Sequence, residues 1–373
     1  MRQPLPPSDV NHKCVGLKSL SRVFNAYFQF SRAGWYFLLL IWCALEKTSM
    51  EDLSEKLFFS SDQLFVFLGR MSIEEITCGV NLLLYHSFKL LWKRAVQYCP
   101  DIVDSPILLA IDTTDKRYYG VDNEYVHRTL KMEGRKKKRV DVLRYASISI
   151  VAKNFKFTLG VTPKKRDEPL DQVVERLLKL IPEELSVFAV LMDKGFYLSS
   201  VMKIVDKQGY KYIIPVKQYG NMSLLYRLLE LTGVSHWKYT MRGGESLEYT
   251  YDVYLEDLGI EAYCGFATNL PVTRMSFTVL AEAYTNRWNI ENGYKETKEY
   301  TIKTNSRNHG YRTLVFGLSH LILNLHGIMK KTHQKAKITV NQMKNMLKQF
   351  LERILQLPKR PDNMISKHLK VAW

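Results

Sequence analysis

Two short apolar runs, each followed directly by an aspartate, constrain the fold of this chain more than any other feature. Residues 107–111 precede Asp112, and residues 187–192 precede Asp193. Continuous apolar runs of this length are typical of strands that are buried on both faces of a sheet. The runs predict an α/β core with two carboxylates at its edge, where an aspartate can form a turn, cap a helix or belong to a functional site.

The segments around these runs predict the rest of the core. Residues 143–152 alternate as a strand, and residues 155–161 follow as its hairpin partner. Helical spacing covers residues 169–181 and about 199–207, and a last strand is predicted over residues 210–216. The predicted order is three strands, a helix, a strand, a helix and a strand, with acids after the first and fourth strands.

The charge of the chain favours a polyanionic partner. Its 373 residues contain 54 Lys and Arg against 37 Asp and Glu, a formal net charge of +17. Nucleic acid is the commonest such partner, and an anionic membrane surface is the alternative. The longest apolar run, residues 33–45, is shorter than the roughly 18 residues of a membrane span. With no signal-peptide layout at residues 1–9, a cytoplasmic location is predicted.

The cysteines and the two ends of the chain add further expectations. The five cysteines are scattered, which predicts neither a zinc site nor a disulfide framework. Residues 14–99 have the apolar spacing of four or five helices. Within them, residues 48–57 and 60–71 predict two capped short helices, either a helix-turn-helix module or an ordinary helix pair. The basic segment 331–373 is expected to hold a further helix.

Residues 284–298 concentrate charged and aromatic side chains on one side of a predicted helix. Tyr284, Arg287, Glu291 and Lys298 fall within an arc of about 60° if the helix is continuous. Arg287 and Glu291 can form an ordinary i,i+4 pair on a solvated helix. Alternatively, the stripe is a phosphate-facing surface that contains one carboxylate.

The spacing of these four residues resembles the Y-R-E-K signature of DDE transposases of prokaryotic insertion sequences, the fourth insertion-sequence family and its relatives. The resemblance implies an α/β fold with a ribonuclease H-like catalytic core and a β-rich insertion before the last catalytic helix. It implies that Asp112, Asp193 and Glu291 are the catalytic residues and metal ligands. Asp115 is a close alternative to Asp112.

The resemblance also implies the cofactor and the chemistry. The three acids would hold two Mg²⁺ ions, with Mn²⁺ as a substitute, and Asp112 would bridge both. The attacking group would be water in strand cleavage and a DNA 3′-hydroxyl in strand transfer.

Three groups of residues are predicted to contact DNA. Tyr284, Arg287 and Lys298 belong to the signature, and Trp237 of the insertion is a candidate for base stacking, with core packing or a cross-strand aromatic pair as the alternative. Residues 131–139 are predicted to form a mobile basic loop, either merely solvated or in contact with phosphates. The DNA-binding candidates in this loop are Arg135, Lys136, Lys137, Lys138 and Arg139.

Together these expectations describe a three-part enzyme. A helical DNA-binding domain over residues 1–104 precedes a catalytic domain over 105–330, with its insertion at about 219–272, and a basic helical tail over 331–373. The predicted function is cut-and-paste transposition by a protein that binds terminal inverted repeats and target DNA, acts as a homodimer on DNA and is nucleoid-associated. The alternatives are a nuclease without strand transfer, an inactive DNA-binding derivative and a membrane-surface protein.

Overall fold

The structure is a computed structural model that describes residues 32–57, 61–98, 107–133, 136–152, 155–217, 222–242, 248–257, 263–271, 276–332 and 339–355. Within them the α-helices are α1 Arg32–Glu46, α2 Met50–Leu57, α3 Asp62–Gly69, α4 Ile73–Tyr98, α5 Leu170–Leu178, α6 Ser199–Lys207, α7 Met222–Thr232, α8 Phe277–Thr285, α9 Trp288–Thr297, α10 His309–Thr332 and α11 Val340–Leu355. The strands are β1 Ile107–Arg117, β2 Val126–Glu133, β3 Lys136–Ala152, β4 Phe155–Pro163, β5 Val187–Met192, β6 Tyr212–Pro215, β7 His236–Arg242, β8 Glu248–Asp257 and β9 Tyr263–Thr268.

Contacts divide the chain into two units, residues 1–100 with 295–373, and residues 101–294. The boundary predicted at residue 330 differs from this grouping, because α10 packs along α4 in the first unit. The three-part division into functional domains remains a prediction.

The first unit is helical in its described part. Helix α4 begins with a capping box in which the Glu75 amide donates to Ser72 Oγ and the Ser72 amide donates to Glu75 Oε2, at 3.0 and 2.7 Å. Helices α4 and α10 approach closely at Gly317, where an added Cβ would lie 2.1 Å from Val80 Cγ1. The predicted short helices are present as α2 and α3, while their DNA-reading role remains a prediction. No helix in the described ranges is long and apolar enough to cross a membrane.

The second unit is built on one mixed sheet of nine strands in the described ranges. Eight of them follow the order β2–β3–β1–β5–β6–β9–β8–β7, and the ninth, β4, pairs with β3 beside this path. Strands β1, β5 and β6 are parallel, and β3 runs antiparallel to β1. The long strand β3 pairs with β2 along its first half and with β4 along its second half. The strands predicted at 107–111, 143–152, 155–161, 187–192 and 210–216 are all present. The first strand does not end at Asp112 as predicted but continues to Arg117, because its pairing with β3 extends past the apolar run.

The described residues of the basic segment, 131–133 and 136–139, do not form the loop that the sequence predicted. They lie in the paired strands β2 and β3, where Lys131 pairs with Lys138 and Leu130 with Arg139. The remaining residues of the segment, 134 and 135, lie outside the described residues. The wrong prediction arose because β2 lacks clean alternation: consecutive Val126 and His127 are both buried, whereas Leu130 is exposed. Cross-strand pairing with β3 decides its conformation.

The predicted β insertion continues the main sheet. Strand β9 pairs antiparallel with β6, β8 with β9, and β7 with β8, so the insertion extends the sheet beyond β6. Helix α7 lies within the insertion and was not predicted. The three insertion strands match the predicted alternating segments closely in their bounds. Only β7 alternates cleanly in exposure, whereas residues 253–255 of β8 and 265–268 of β9 are buried consecutively.

Candidate active site

The first two predicted acids meet because their strands are neighbours. Strands β1 and β5 are parallel, and Ile111 pairs with Met192. Asp112, within β1, and Asp193, directly after β5, are the residues that follow this pair. Neighbouring strands of a sheet lie about 4.8 Å apart, so the two aspartates lie close together. The fold thus brings together two acids that are distant in sequence.

Asp112 is buried, with 8% of its surface exposed. The Thr113 amide donates to its Oδ1 at 2.7 Å. Burial, and then the nearby Asp193 carboxylate, raise the pKa of Asp112 to about 6. A bound cation would relieve this repulsion.

Asp193 is half-buried and has a structural task as well. It caps the 3₁₀-helix Lys194–Phe196, where its Oδ1 accepts a hydrogen bond from the Gly195 amide at 2.8 Å. The alternative role of a helix cap is therefore real. It does not exclude a ligand role, because the second carboxylate oxygen is not used in this bond.

The stretch from Tyr284 to Lys298 is not the continuous helix that the sequence predicted. Helix α8 ends at Thr285, α9 begins at Trp288, and Lys298 starts a 3₁₀-helix. Between α8 and α9, successive amides donate to the carbonyl three residues earlier, as in Arg287 to Tyr284 at 2.9 Å. The Asn286 side chain also bonds to backbone carbonyls of α8, which favours a break in the helix.

This break places Arg287 among the acids. Its Nη2 donates to Glu291 Oε1 at 2.5 Å, and its Nη1 lies 3.6 Å from Asp112 Oδ2. The Arg287 side chain is only 9% exposed. The guanidinium carbon lies 5.3 Å from the centre of the Tyr284 ring, whose other neighbour is Phe266. A cation from the chain itself thus lies between two of the three predicted ligands.

Asp115, the alternative to Asp112, is committed elsewhere. Arg144 of β3 donates to both of its carboxylate oxygens, from Nε at 2.8 Å and from Nη2 at 3.1 Å. This two-pronged pair occupies Asp115 and leaves Asp112 as the acid beside Asp193.

Helix α9, which carries Glu291, is attached to the sheet by residues that the sequence analysis missed. The Tyr294 hydroxyl donates to the backbone oxygen of Asp112 at 2.9 Å and also bonds Ser147 Oγ at 2.8 Å. Near the start of the helix, Asn289 Nδ2 donates to the Ala152 oxygen at 2.8 Å. The available signal was the i,i+3 spacing of Glu291 and Tyr294, which places both on one side of a helix.

The three acids have the ligand chemistry that a divalent metal requires, but their side chains are not yet arranged to bind one. Carboxylate oxygens are the ligands that Mg²⁺ prefers, and mutual repulsion between Asp112 and Asp193 favours a cation. In the described ranges, no three His, Cys, Asp or Glu side chains are arranged to hold a metal ion as they stand. Arg287 explains this for Glu291, because its guanidinium binds the carboxylate that a metal would need.

The other predicted DNA contacts lie on other elements of the fold. Lys298 is exposed and groups with the first unit. Lys137, Lys138 and Arg139 are exposed on β3, the side chain of Lys136 is not described, and Arg135 lies outside the described residues. Trp237 is half-buried on β7, where its Nε1 donates to the Val234 oxygen at 3.1 Å.

Comparison with known proteins identifies the family. The profile described as Transposase DDE domain matches residues 109–325, more than half of the chain. The chain belongs to the transposase DDE domain family. The matched DDE domain includes Asp112, Asp193 and Glu291, and its members are enzymes that cut DNA and transfer its strands. Membership makes transposition and DNA recombination the processes of this chain.

Other comparisons give a structural likeness alone. The cryo-EM structure of the piggyBac transposase synaptic complex with hairpin DNA is similar over 90% of this chain and 74% of that chain, at 13% sequence identity and a TM-score of 0.47. The search among curated proteins found no match.

Proposed function

We propose that this chain is a metal-dependent DNA transposase in which Asp112, Asp193 and Glu291 are the catalytic acids. One observation supports the proposal: Asp112 of β1 and Glu291 of α9 both lie beside the buried guanidinium of Arg287, and Asp193 directly follows β5, the parallel neighbour of β1. Buried charged groups without a functional reason are rare, because their desolvation is costly.

The acids would hold two Mg²⁺ ions, or Mn²⁺ in their place. Such ions supply activation of the attacking oxygen and stabilisation of the leaving oxygen in phosphoryl transfer. Asp112 would contribute from β1 and Asp193 from β5, while Glu291 would contribute after release from Arg287. Arg287, once released, can bind a DNA phosphate through both arms of its guanidinium.

A ribonuclease H-like core fits the strand order around the acids. The subset β4–β3–β1–β5–β6, with only β3 antiparallel among β3, β1, β5 and β6, matches the fold proposed from the signature. The first acid follows the buried part of the central strand, and the second follows its parallel neighbour. Strands β7 to β9 are then the proposed insertion before the helix of Glu291.

DNA is the proposed partner, in the form of terminal inverted repeats and target DNA. The net charge of +17 supports this. Tyr284 and Arg287 would hold DNA at the site, and Lys298 and the basic end of the β2–β3 hairpin would contact DNA phosphates. Trp237 remains a stacking candidate. We further propose a prokaryotic insertion sequence as the source, a homodimer on DNA, and a cytoplasmic, nucleoid-associated location.

The test is cleavage of a DNA duplex that ends in the inverted repeat of the element, found by inspecting the DNA on both sides of the gene. In Mg²⁺, Asp112→Asn should abolish cleavage and leave binding intact. Undiminished cleavage would refute the catalytic assignment. Joining of cut ends to a plasmid distinguishes a transposase from a nuclease, and binding without cleavage by the unaltered chain would indicate an inactive derivative.

A further inference from the structure

We propose that Tyr294 is a positioning residue whose hydroxyl fixes the helix of Glu291 against strand β1 at Asp112. This inference rests on the proposed function and deepens it. Tyr294 is buried, at 8% exposure, and its hydroxyl donates to the backbone oxygen of Asp112 at 2.9 Å. The bond joins Tyr294, which lies three residues after Glu291, directly to Asp112.

The direction of each bond follows from the atoms involved. A carbonyl oxygen can only accept, so the single hydroxyl proton of Tyr294 is given to Asp112. The Ser147 hydroxyl, 2.8 Å away and fully buried, must therefore donate to the Tyr294 oxygen. Ser147 pairs with Asp112 in the β1–β3 register. One hydroxyl thus contacts both strands at the level of the first acid.

The remaining contacts of the helix restrict its movement. Lys156 Nζ lies 4.9 Å from the centre of the Tyr294 ring. At Gly293 an added Cβ would lie 2.3 Å from the same Nζ, so the helix and the Lys156 side chain are in close contact. Asn289 holds the start of the helix to the Ala152 oxygen. The helix therefore has contacts with the sheet at both ends of the turn that carries Glu291.

These contacts set the position of the Glu291 carboxylate relative to that of Asp112. Glu291 and Tyr294 are three residues apart on α9, so a shift of the Tyr294 ring is transmitted directly to the Glu291 backbone. Catalytic side chains must be held within about 0.5 Å of their productive positions by contacts with neighbouring residues. Without the hydroxyl, nothing else on α9 in the described residues donates a hydrogen bond to Asp112.

The test is Tyr294→Phe, which keeps the ring and removes the hydroxyl. Mn²⁺ binding to the full DNA-free chain is measured by electron paramagnetic resonance, with Asp112→Asn as the reference for loss of the site. We expect Mn²⁺ affinity to fall about tenfold or more, the usual range for supporting contacts of metal ligands. The cleavage rate constant at saturating DNA should fall similarly, while the DNA concentration for half-maximal rate stays unchanged.

Ser147→Ala is the matched control, because it removes a buried bond to the same hydroxyl but leaves the bond from Tyr294 to Asp112. It should lower the unfolding temperature like Tyr294→Phe while keeping Mn²⁺ affinity. Asn289→Ala is a second variant on the half-buried start of the helix, and it should weaken Mn²⁺ binding in the same direction. It provides the test if Tyr294→Phe does not fold.

Equal loss of Mn²⁺ affinity in Tyr294→Phe and Ser147→Ala would overturn the positioning role, since both effects would then follow stability alone. Unchanged affinity in Tyr294→Phe would overturn it as well, as would unchanged affinity in Asn289→Ala if only that variant folds. If the unaltered chain shows no Mn²⁺ binding that depends on Asp112, the proposed function itself fails, and this inference with it.

Discussion

The guanidinium of Arg287 is bound to the carboxylate of Glu291, four residues later, with 2.5 Å between Nη2 and Oε1. The same guanidinium lies 3.6 Å from Asp112, so it balances the charge of two acids that are proposed to bind metal. Such a pair stabilises the metal-free state and must open before Glu291 can become a ligand.

We expect Arg287→Ala to unfold more easily than the unaltered chain without metal, by roughly 3 kcal/mol, because it leaves buried carboxylates uncompensated. Added Mg²⁺ should then raise the unfolding temperature more in this variant than in the unaltered chain, since no internal cation competes. The measurement is thermal unfolding in EDTA and in Mg²⁺. Arg287→Lys keeps the charge and should respond to Mg²⁺ less than Arg287→Ala. A smaller Mg²⁺ response in Arg287→Ala than in the unaltered chain would contradict the competition.

The stability of the metal-free chain should depend on the ionisation of Asp112. Burial and Asp193 raise its pKa from 3.8 to about 6, so the unfolded chain loses this proton at lower pH than the folded chain. Unfolding free energy therefore decreases as pH rises from about 4 to 6. Asp112→Asn removes this loss and should be more stable at pH 8, by at most about 3 kcal/mol, with the advantage gone near pH 3.5.

Urea denaturation in EDTA at the two pH values measures this difference. Asp115→Asn is the control aspartate, because its replacement removes the hydrogen-bonded pair with Arg144 and no gain in stability is expected. If Asp112→Asn is no more stable at pH 8 than the unaltered chain, the carboxylate of Asp112 is solvated in the unaltered folded chain and this prediction is wrong.

The two aspartates of β1 should differ in catalysis. Asp115→Asn breaks the two-pronged pair with Arg144 and should cost about 1 kcal/mol of stability, since both side chains are partly exposed. Cleavage should persist, whereas Asp112→Asn should abolish it. The measurement is the single-turnover cleavage rate of both variants in Mg²⁺. Loss of cleavage in Asp115→Asn but not in Asp112→Asn would assign the catalytic role to Asp115.

Replacement by alanine should have opposite effects on stability at Gly293 and at Gly79. Gly293→Ala places a methyl group 2.3 Å from Lys156 Nζ and 2.4 Å from its Cδ, in a buried region, and should destabilise by about 1 to 3 kcal/mol. At Gly79, in α4, an added Cβ meets nothing within 4 Å. Gly79→Ala should therefore stabilise by roughly 0.5 to 1 kcal/mol through helix propensity. Chemical denaturation of both variants checks the sign, and destabilisation by Gly79→Ala would mean that its helix face is covered.

The basic end of the β2–β3 hairpin should contribute to DNA affinity through salt-dependent contacts. Replacing Lys137 and Lys138 by Gln should weaken DNA binding and flatten the plot of log affinity against log salt by about 0.9 for each lost phosphate contact. Titrations at several salt concentrations measure the slope. Lys203→Gln with Lys207→Gln, two exposed lysines of α6, removes the same charge. If the two pairs of substitutions have equal effects, the hairpin lysines act only through the net charge of the protein and not through contacts of their own.

Local patterns were sufficient to predict most elements of the core. The first half of β1, up to Asp112, and the end of β5, before Asp193, bury consecutive side chains, and a run of apolar residues indicates this burial directly. Helices α5 and α6 were predicted because their buried residues recur at helical spacing. Strand β2 and helix α7 were missed, since the first lacks alternation and the second lies among segments with strand character.

Local patterns establish that one acid follows the apolar run of β1, that a second directly follows the strand β5, and that a third lies in a charged segment with a recognisable spacing. How the three acids meet depends on contacts in the folded chain. The break at Asn286 turns Arg287 toward the carboxylates, and the Tyr294 hydroxyl reaches a carbonyl 182 residues earlier in the chain. Strand pairing and helix seating are set by contacts between distant residues, and a pattern of neighbouring residues does not contain those contacts.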